Sequence, residues 1–342
     1  MIFSYVGVGT LKNVCLAGSV LELKACAERL LYRNIQFEVF LNIRQYPVIP
    51  DRFEALNRTM REKPDLQKHF RTLTLVDDRN SFANPSNTLM PVTLTEGVSQ
   101  RLSLLCSTPW LHTLVLSTTR NLFYLSPLAV YELMTLLPTL KSLTIQGFAL
   151  PRGDLDVVRQ KRGTSGVEKL HFDNIQWMEA KTLALLVQLC KQLKTFHCHC
   201  RVYVSFTHGT APALFEPYQD CLEALSVGNS HEFYDETDQL TKFTALTDLT
   251  IRENMFWPTL DNHERIMDAE QGVKFIVDQF LPKGLKTLKI LNSCHWHRGI
   301  LKYRINGSSW MPTVVAPGGW TAIMDAFRAK GIKVEILTKV SG

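Results

Sequence analysis

LKTFHCHC, residues 193–200, alternates two histidines with two cysteines, and its hydrophobic outline recurs along the chain. In the outline Leu-x-x-[Leu/Phe]-x-apolar, Leu193, Phe196 and Cys198 hold the apolar places. FRTLTL (70–75), LHTLVL (111–116), LKSLTI (140–145), VEKLHF (167–172), LEALSV (222–227), LTDLTI (246–251) and LKTLKI (285–290) share that outline, with Phe or Val in the leading place of two of them. Apolar residues two apart predict a short strand with one buried face, because strand side chains alternate sides. The central residues are Leu73, Leu114, Leu143, Leu170, Phe196, Leu225, Leu249 and Leu288, spaced 24 to 41 residues apart. A single strand of this length cannot bury its own apolar edge. Stacking one unit on the next gives all of them a common core.

Between the strands lie stretches with helical spacing. In SPLAVYELMTLLPTL, Ser126 stands as N-cap, Pro127 takes the first helical position, and Leu128, Tyr131, Leu133 and Met134 form the expected apolar face. WMEAKTLALLVQLCKQL sets Leu183, Leu186, Val187 and Cys190 on one stripe. DNHERIMDAEQGVKFIVDQFL and WTAIMDAFRAKG repeat the theme. Most strand intervals fall near the period of about 20 to 29 residues typical of leucine-rich repeats. The chain thus resembles an α/β, irregular leucine-rich-repeat solenoid: a curved, mostly parallel sheet with helices on the convex side. The expected division is a helical segment over 1–66 and the solenoid over 67–342, with an insertion at 295–319.

In this register Cys198 is a core residue, and His197, His199 and Arg201 face the opposite, concave side. The preceding unit sets His171 opposite His197 and Asp173 opposite His199, with neighbouring strands about 4.8 Å apart. The plain reading of this patch is a solvated polar ladder. The sharper reading is a zinc-type ligand set of His171, Asp173, His197 and His199. Cys294, His295 and His297 make a second cluster, three strands away.

Composition narrows the function. The apolar share is 45% and the charged share 20%, which suits a folded globular chain rather than a disordered one. The net charge of +6 comes from 38 basic and 32 acidic residues without a like-charge run, so no nucleic-acid partner is expected. No apolar run is long enough for a membrane span. The eight cysteines lack paired CxxC spacing, so reduced thiols in a cytoplasmic or nuclear protein are expected. An Ala-x-Ala at Ala25–Ala27 follows a short apolar stretch, but Gly18 and Ser19 interrupt that stretch and Lys12 is the only side-chain cation ahead of it, unlike a secretory leader. Walker A, GxSxG and HExxH patterns are absent. Neither catalysis nor a cofactor is expected.

The segment 11–35, LKNVCLAGSVLELKACAERLLYRNI, carries a second resemblance. Its phrase Ala27-x-x-Leu30-Leu31-Tyr32-Arg33-x-Ile35 resembles the second half of an F-box, whose usual Leu-Pro-x-Glu opening is missing from residues 1–10. LNRTMREKPDLQKHFRTLTL (56–75) is similar to the junction in fungal F-box-like leucine-rich-repeat proteins. There a short helix (here capped by Asp51, with Phe53, Leu56 and Met60 inward), a break at Pro64 and the first repeat strand follow in turn. The resemblance implies a substrate-recognition subunit of a Skp-cullin-F-box ubiquitin ligase, with Leu30, Leu31 and Tyr32 meeting a Skp-type adaptor. The alternative is a stand-alone binding scaffold whose N-terminal segment only caps the solenoid.

In either case the expected partner is a protein on the concave face. Thr144, His171, Asp173, His197, His199, Arg252 and Lys289 are the candidate contacts there. The 295–319 insertion adds Trp296, Arg298, Tyr303, Arg304 and Trp310, residue types enriched at binding hot spots. Asn306-Gly307 predicts a hairpin turn within it.

Overall fold

A computed structural model of the chain describes residues 33–38, 51–67, 69–77, 111–118, 125–150, 161–175, 177–200, 214–228, 240–252, 281–292, 304–305, 308–309 and 319–338. The elements run β1 (Asn34–Glu38), α1 (Asp51–Glu62), α2 (Pro64–Gln67), β2 (Thr72–Asp77), β3 (Thr113–Thr118), α3 (Pro127–Leu136), β4 (Ser142–Gln146) and β5 (Ala149–Leu150). They continue with β6 (Lys169–Ile175), β7 (Trp177–Met178), α4 (Ala180–Gln188), β8 (Thr195–Cys200), β9 (Ala224–Val227), β10 (Asp248–Arg252) and β11 (Thr287–Asn292). β12 (Arg304–Ile305), β13 (Ser308–Ser309), α5 (Gly319–Ala329) and β14 (Lys333–Thr338) complete them.

Ten strands form one open sheet in the order β1-β2-β3-β4-β6-β8-β9-β10-β11-β14, and every pairing in it is parallel. Each strand therefore lies beside the next sheet strand along the chain. Register follows the hydrophobic outline. Ile35, Leu73, Leu114, Leu143, Leu170, Phe196, Leu225, Leu249, Leu288 and Val334 stand in one row across the sheet. The eight expected central residues of that row are all buried. At about 1.5–3 kcal/mol for each fully buried aliphatic side chain, the row is a major part of the core.

A repeated backbone device holds the register. The carbonyls of Arg33, His112, Lys141, Glu168, Lys194, Glu223 and Thr247 each accept two consecutive N–H groups from the start of the following strand. At Lys141, for example, Glu168 and Lys169 both donate at 2.9 Å.

The core lies on one side of the sheet. Inward strand residues and the buried faces of α3 and α4 belong to a single apolar cluster reaching from Leu56 to Ile332. Helix α3 begins after Ser126 with Pro127 in its first turn, as expected. Its buried stripe is centred on Val130, Leu133 and Met134, so Leu128 is exposed rather than inward. In α4, Leu183, Leu186 and Val187 are buried, with Cys190 just beyond its end, as the spacing predicts. Burial pushes the Cys190 thiol up to about 12, which keeps it protonated. The Tyr218 hydroxyl reaches the end of this helix and donates to the carbonyls of Val187 (2.7 Å) and Cys190 (2.9 Å).

Three differences from the sequence reading stand out. The sheet gains β1, where Asn34 and Ile35 of the F-box-like phrase are strand rather than helix. It also gains β14 at the far edge. Pro64 opens the short helix α2 instead of only ending α1. The expected hairpin is seen as the antiparallel pair β12–β13, with Arg304 opposite Ser309 on either side of Asn306-Gly307. The helical stretch at 261–280 lies outside the described residues. Among the described residues no helix is long and apolar enough to cross a membrane.

Two predictions test these contacts. Tyr218→Phe removes the hydroxyl proton shared by two carbonyls; Val187 keeps the Cys190 N–H as a donor at 3.0 Å, while the Cys190 carbonyl loses its side-chain donor. The change is expected to cost about 1–2 kcal/mol, read as a lower urea midpoint at unchanged slope. The second concerns Glu168, whose carboxylate bridges Lys141 (2.7 Å) and Lys194 (2.8 Å). Hydrogen bonds from Lys141 and then Lys194 hold its carboxyl below the ordinary value of 4.5, against the opposing effect of burial. A depressed folded-state pKa means that the unfolded chain takes up the proton first. The stabilisation is complete above the ordinary carboxylate value and disappears as pH falls through the folded one. Unfolding free energies of the native chain and Glu168→Gln from urea titration should differ by less than about 1 kcal/mol at neutral pH, because the pair is partly solvated, and converge at acid pH. A gap that stays constant with pH would contradict this assignment.

Candidate functional site

The outward side of the sheet carries its own continuous row: Gln36, Thr74, Val115, Thr144, His171, His197, Ser226, Thr250, Lys289 and Glu335. The next outward row holds Ser117, Gln146, Asp173 and His199 in register. These rows alternate with buried ones. In β3 and β4, outward residues are half-buried and inward residues are buried.

Histidines concentrate where β6 meets β8. His171 lies opposite His197, their ring centroids 5.6 Å apart, and Asp173 lies opposite His199. His197 and His199 are two apart on one strand and share a face, with centroids 4.0 Å apart. Cys198, between them, points into the core and is 4% exposed. The run at 197–200 is thereby divided by the backbone, as strand alternation requires. Cys198 is a packing residue.

Asp173 approaches His197, with Oδ1 3.9 Å from Nε2. His197 is the largest influence lowering the Asp173 carboxyl below its ordinary value; burial opposes it, and His199 and the Asn174 backbone N–H assist. Asp173 also sits at an irregularity. The β6–β8 register slips between Asp173 and Ile175, and the intervening Asn174 has φ +52°. Asparagine is one of the few residues that adopts this left-handed conformation readily. A bulge turns the chain locally and re-aims the side chain beside it. The Asp173 carbonyl is held from the other side by the Gly147 N–H at 3.0 Å. Gly147 itself has φ +81°, and a Cβ there would lie 2.0 Å from the Thr118 carbonyl oxygen, so only glycine fits.

His199 has its own support. Its Nε2 is 3.0 Å from Ser226 Oγ. A Cβ on Gly228 would come within 2.7 Å of Cδ2 and 2.8 Å of Cγ of the same ring. The imidazole therefore lies over the space that a side chain at 228 would occupy. One ligand atom from each of Asp173, His197 and His199 falls within 4.8 Å of the other two. His171 is not in this group, so the sharper of the two sequence readings, a set of four, is reduced to three. Its Nε2 is buried without a protein hydrogen-bond partner.

The other candidate contacts are spread out. Thr144 is beside His171 in the row. Lys289 lies three strands from His197 and reaches Glu335 of the edge strand at 3.8 Å. Arg252 ends β10 opposite Leu291, and Arg304 lies in β12. Leu30, Leu31, Tyr32, Trp296, Arg298, Tyr303 and Trp310, with the Cys294–His297 cluster, lie outside the described residues. Sequence reasoning placed the histidines but gave no supporting part to Ser226, Gly228 and Asn174. The signal for the first two was their place opposite His197 and His199 in the next repeat.

His171 generates a test. Burial, then the neighbouring His197, lowers its pKa; Lys169 adds to this and Asp173 opposes it. With the folded-state value depressed, the unfolded chain protonates first. Its contribution is fully present above the ordinary value of 6.5 and is lost as pH falls through the folded value. His171→Phe removes both the orphaned nitrogen and this titration. Its unfolding free energy from urea titration should equal or exceed that of the native chain at neutral pH, by up to about 1 kcal/mol, with a lead that widens toward pH 5.

No family model matches the chain, and no curated protein matches it.

Proposed function

We propose that the chain is a protein-interaction module of the leucine-rich-repeat solenoid type, acting by binding rather than by catalysis. The observation that carries this reading is the outward row from Gln36 to Glu335, ten strands wide and in unbroken register. Parallel sheets ordinarily have both faces covered. Among the described residues, one face of this sheet supplies the core, while the other presents half-buried polar and aliphatic side chains on a paired backbone. The described residues of the row include no aromatic stacking ladder and no single-sign stripe, which favours a protein partner over a nucleic acid.

The F-box-like phrase at Ala27–Ile35 adds a role in a Skp-cullin-F-box ubiquitin ligase, in the cytoplasm or nucleus. In that role Leu30, Leu31 and Tyr32 dock the adaptor, and the open face of the sheet selects the protein to be modified. The second reading, a stand-alone scaffold, keeps the open face and drops the adaptor.

A purified Skp-type adaptor separates the two. The full chain should retain it at micromolar concentration, and joint replacement of Leu30, Leu31 and Tyr32 by alanine should abolish retention without changing the circular dichroism spectrum. Failure of the native chain to retain the adaptor removes the ligase role and leaves the scaffold.

A further inference from the structure

We propose that Asp173, His197 and His199 form a three-ligand site for a divalent transition-metal ion of the zinc class on the open face of the sheet. Two imidazoles and one carboxylate are donors suited to this class of ion, and three protein ligands leave a fourth position for water or another donor. Ligand bonds of about 2.0–2.2 Å bring tetrahedral donor atoms to about 3.3–3.6 Å from one another. Asp173 Oδ1 and His197 Nε2 are 3.9 Å apart, and all three donors lie within 4.8 Å. Closing that spread takes side-chain movements of roughly 1 Å to reach these bond lengths. The side chains of His197 and Asp173 are 28% and 44% exposed, so they have room to make them.

Features outside the ligand trio support the site. Gly228 leaves the space over which the His199 ring lies, since a Cβ there would collide with the ring at 2.7 Å. Ser226 Oγ meets His199 Nε2 at 3.0 Å. The tautomer that donates Nε2–H to Ser226 carries its lone pair on Nδ1, and an outer-shell bond of this kind orients a metal-binding imidazole. On the other strand, the Asn174 bulge and the Gly147 N–H set the backbone of Asp173. Two different strands thus hold the carboxylate and the imidazoles from opposite sides. His171 is outside the set, and its buried nitrogen gives a built-in control.

The test is titration of the metal-free full chain with Zn2+ alone, in competition with a chromophoric chelator, followed by Co2+ substitution. The native chain should bind Zn2+ in the micromolar range or tighter, and its Co2+ form should show the strong visible bands of a four- or five-coordinate ion. Asp173→Asn, which preserves size and shape, and His197→Ala should each weaken binding by at least about tenfold, and Ser226→Ala by about tenfold. His171→Phe and the double variant His295→Ala/His297→Ala should bind as the native chain does. If His197→Ala fails to fold, Asp173→Asn decides. No Zn2+ retention by the native chain at micromolar concentration overturns the assignment. So does retention unchanged by Asp173→Asn, retention lost only in the His295/His297 variant, or a Co2+ spectrum of the hydrated ion.

Discussion

The structure depends on one constraint, the lock between strand register and the residue that precedes each strand. A single carbonyl, such as that of Lys141, Glu168 or Lys194, accepts two successive N–H groups from the start of the following strand. Its position allows no slippage: a shift of one residue would break both bonds and turn every side chain of the strand to the other face. With that lock in place, alternation along each strand becomes alternation across the sheet. Leucines line up with leucines on the covered side, and polar residues with polar residues on the open side. The salt bridges from Glu168 to Lys141 and Lys194 run along the line of locking residues, tying three consecutive units by side chains as well as backbone.

The histidine cluster is a product of the same lock. His197 and His199 share a face because they are two apart, and Asp173 faces His199 because register sets the two strands in step. Regularity alone would give four side chains at the corners of a rectangle, all projecting in parallel. The slip between Asp173 and Ile175 breaks that symmetry. Three groups lie together and His171 is not among them, its buried nitrogen unpaired within the protein. The asparagine at 174 makes the slip inexpensive, since its backbone tolerates positive φ. The glycine at 228 removes the obstacle on the far side.

Much of this was legible in the sequence, for a physical reason. The seven inward leucines and one phenylalanine recur with strand spacing, and burial of such residues is what folding rewards most. The edge strands were harder to read. In β14 the leading apolar place, three residues before Val334, is held by Gly331 with φ +76°, which ends the preceding helix and breaks the outline. In β1 that place falls on Tyr32, inside a phrase with helical spacing. Helix α3 misled in a different way. Its stretch is apolar nearly all round, so periodicity could not single out the face holding Val130 over the face holding Leu128. The supports of the cluster were hidden for a third reason: Ser226 and Gly228 are ordinary residues until the register brings them against an imidazole.

Among the described residues the outward face of this wholly parallel sheet is only half-buried, which calls for an explanation in solvation. Each strand on that face exposes only every second side chain, and the residues there are short or polar enough to stay wet. Most of the backbone of the interior strands is paired with its neighbours, so few donors or acceptors depend on a cover over that face. A paired backbone of this kind holds the outward side chains in place, which favours binding because little conformational entropy remains to be lost on contact. The histidine cluster sits near the middle of this surface, five strands from either edge at most. A metal ion there, as proposed, would carry positive charge and an open coordination position at the centre of the face. A partner offering a carboxylate or imidazole would then gain a directional bond that the neutral ladder of threonines and serine around it cannot supply. Recognition by shape along the rows and by coordination at one point would be two contributions with different pH and chelator dependence. The binding face and the metal site can thus be separated in a single measurement of partner affinity with and without a chelator.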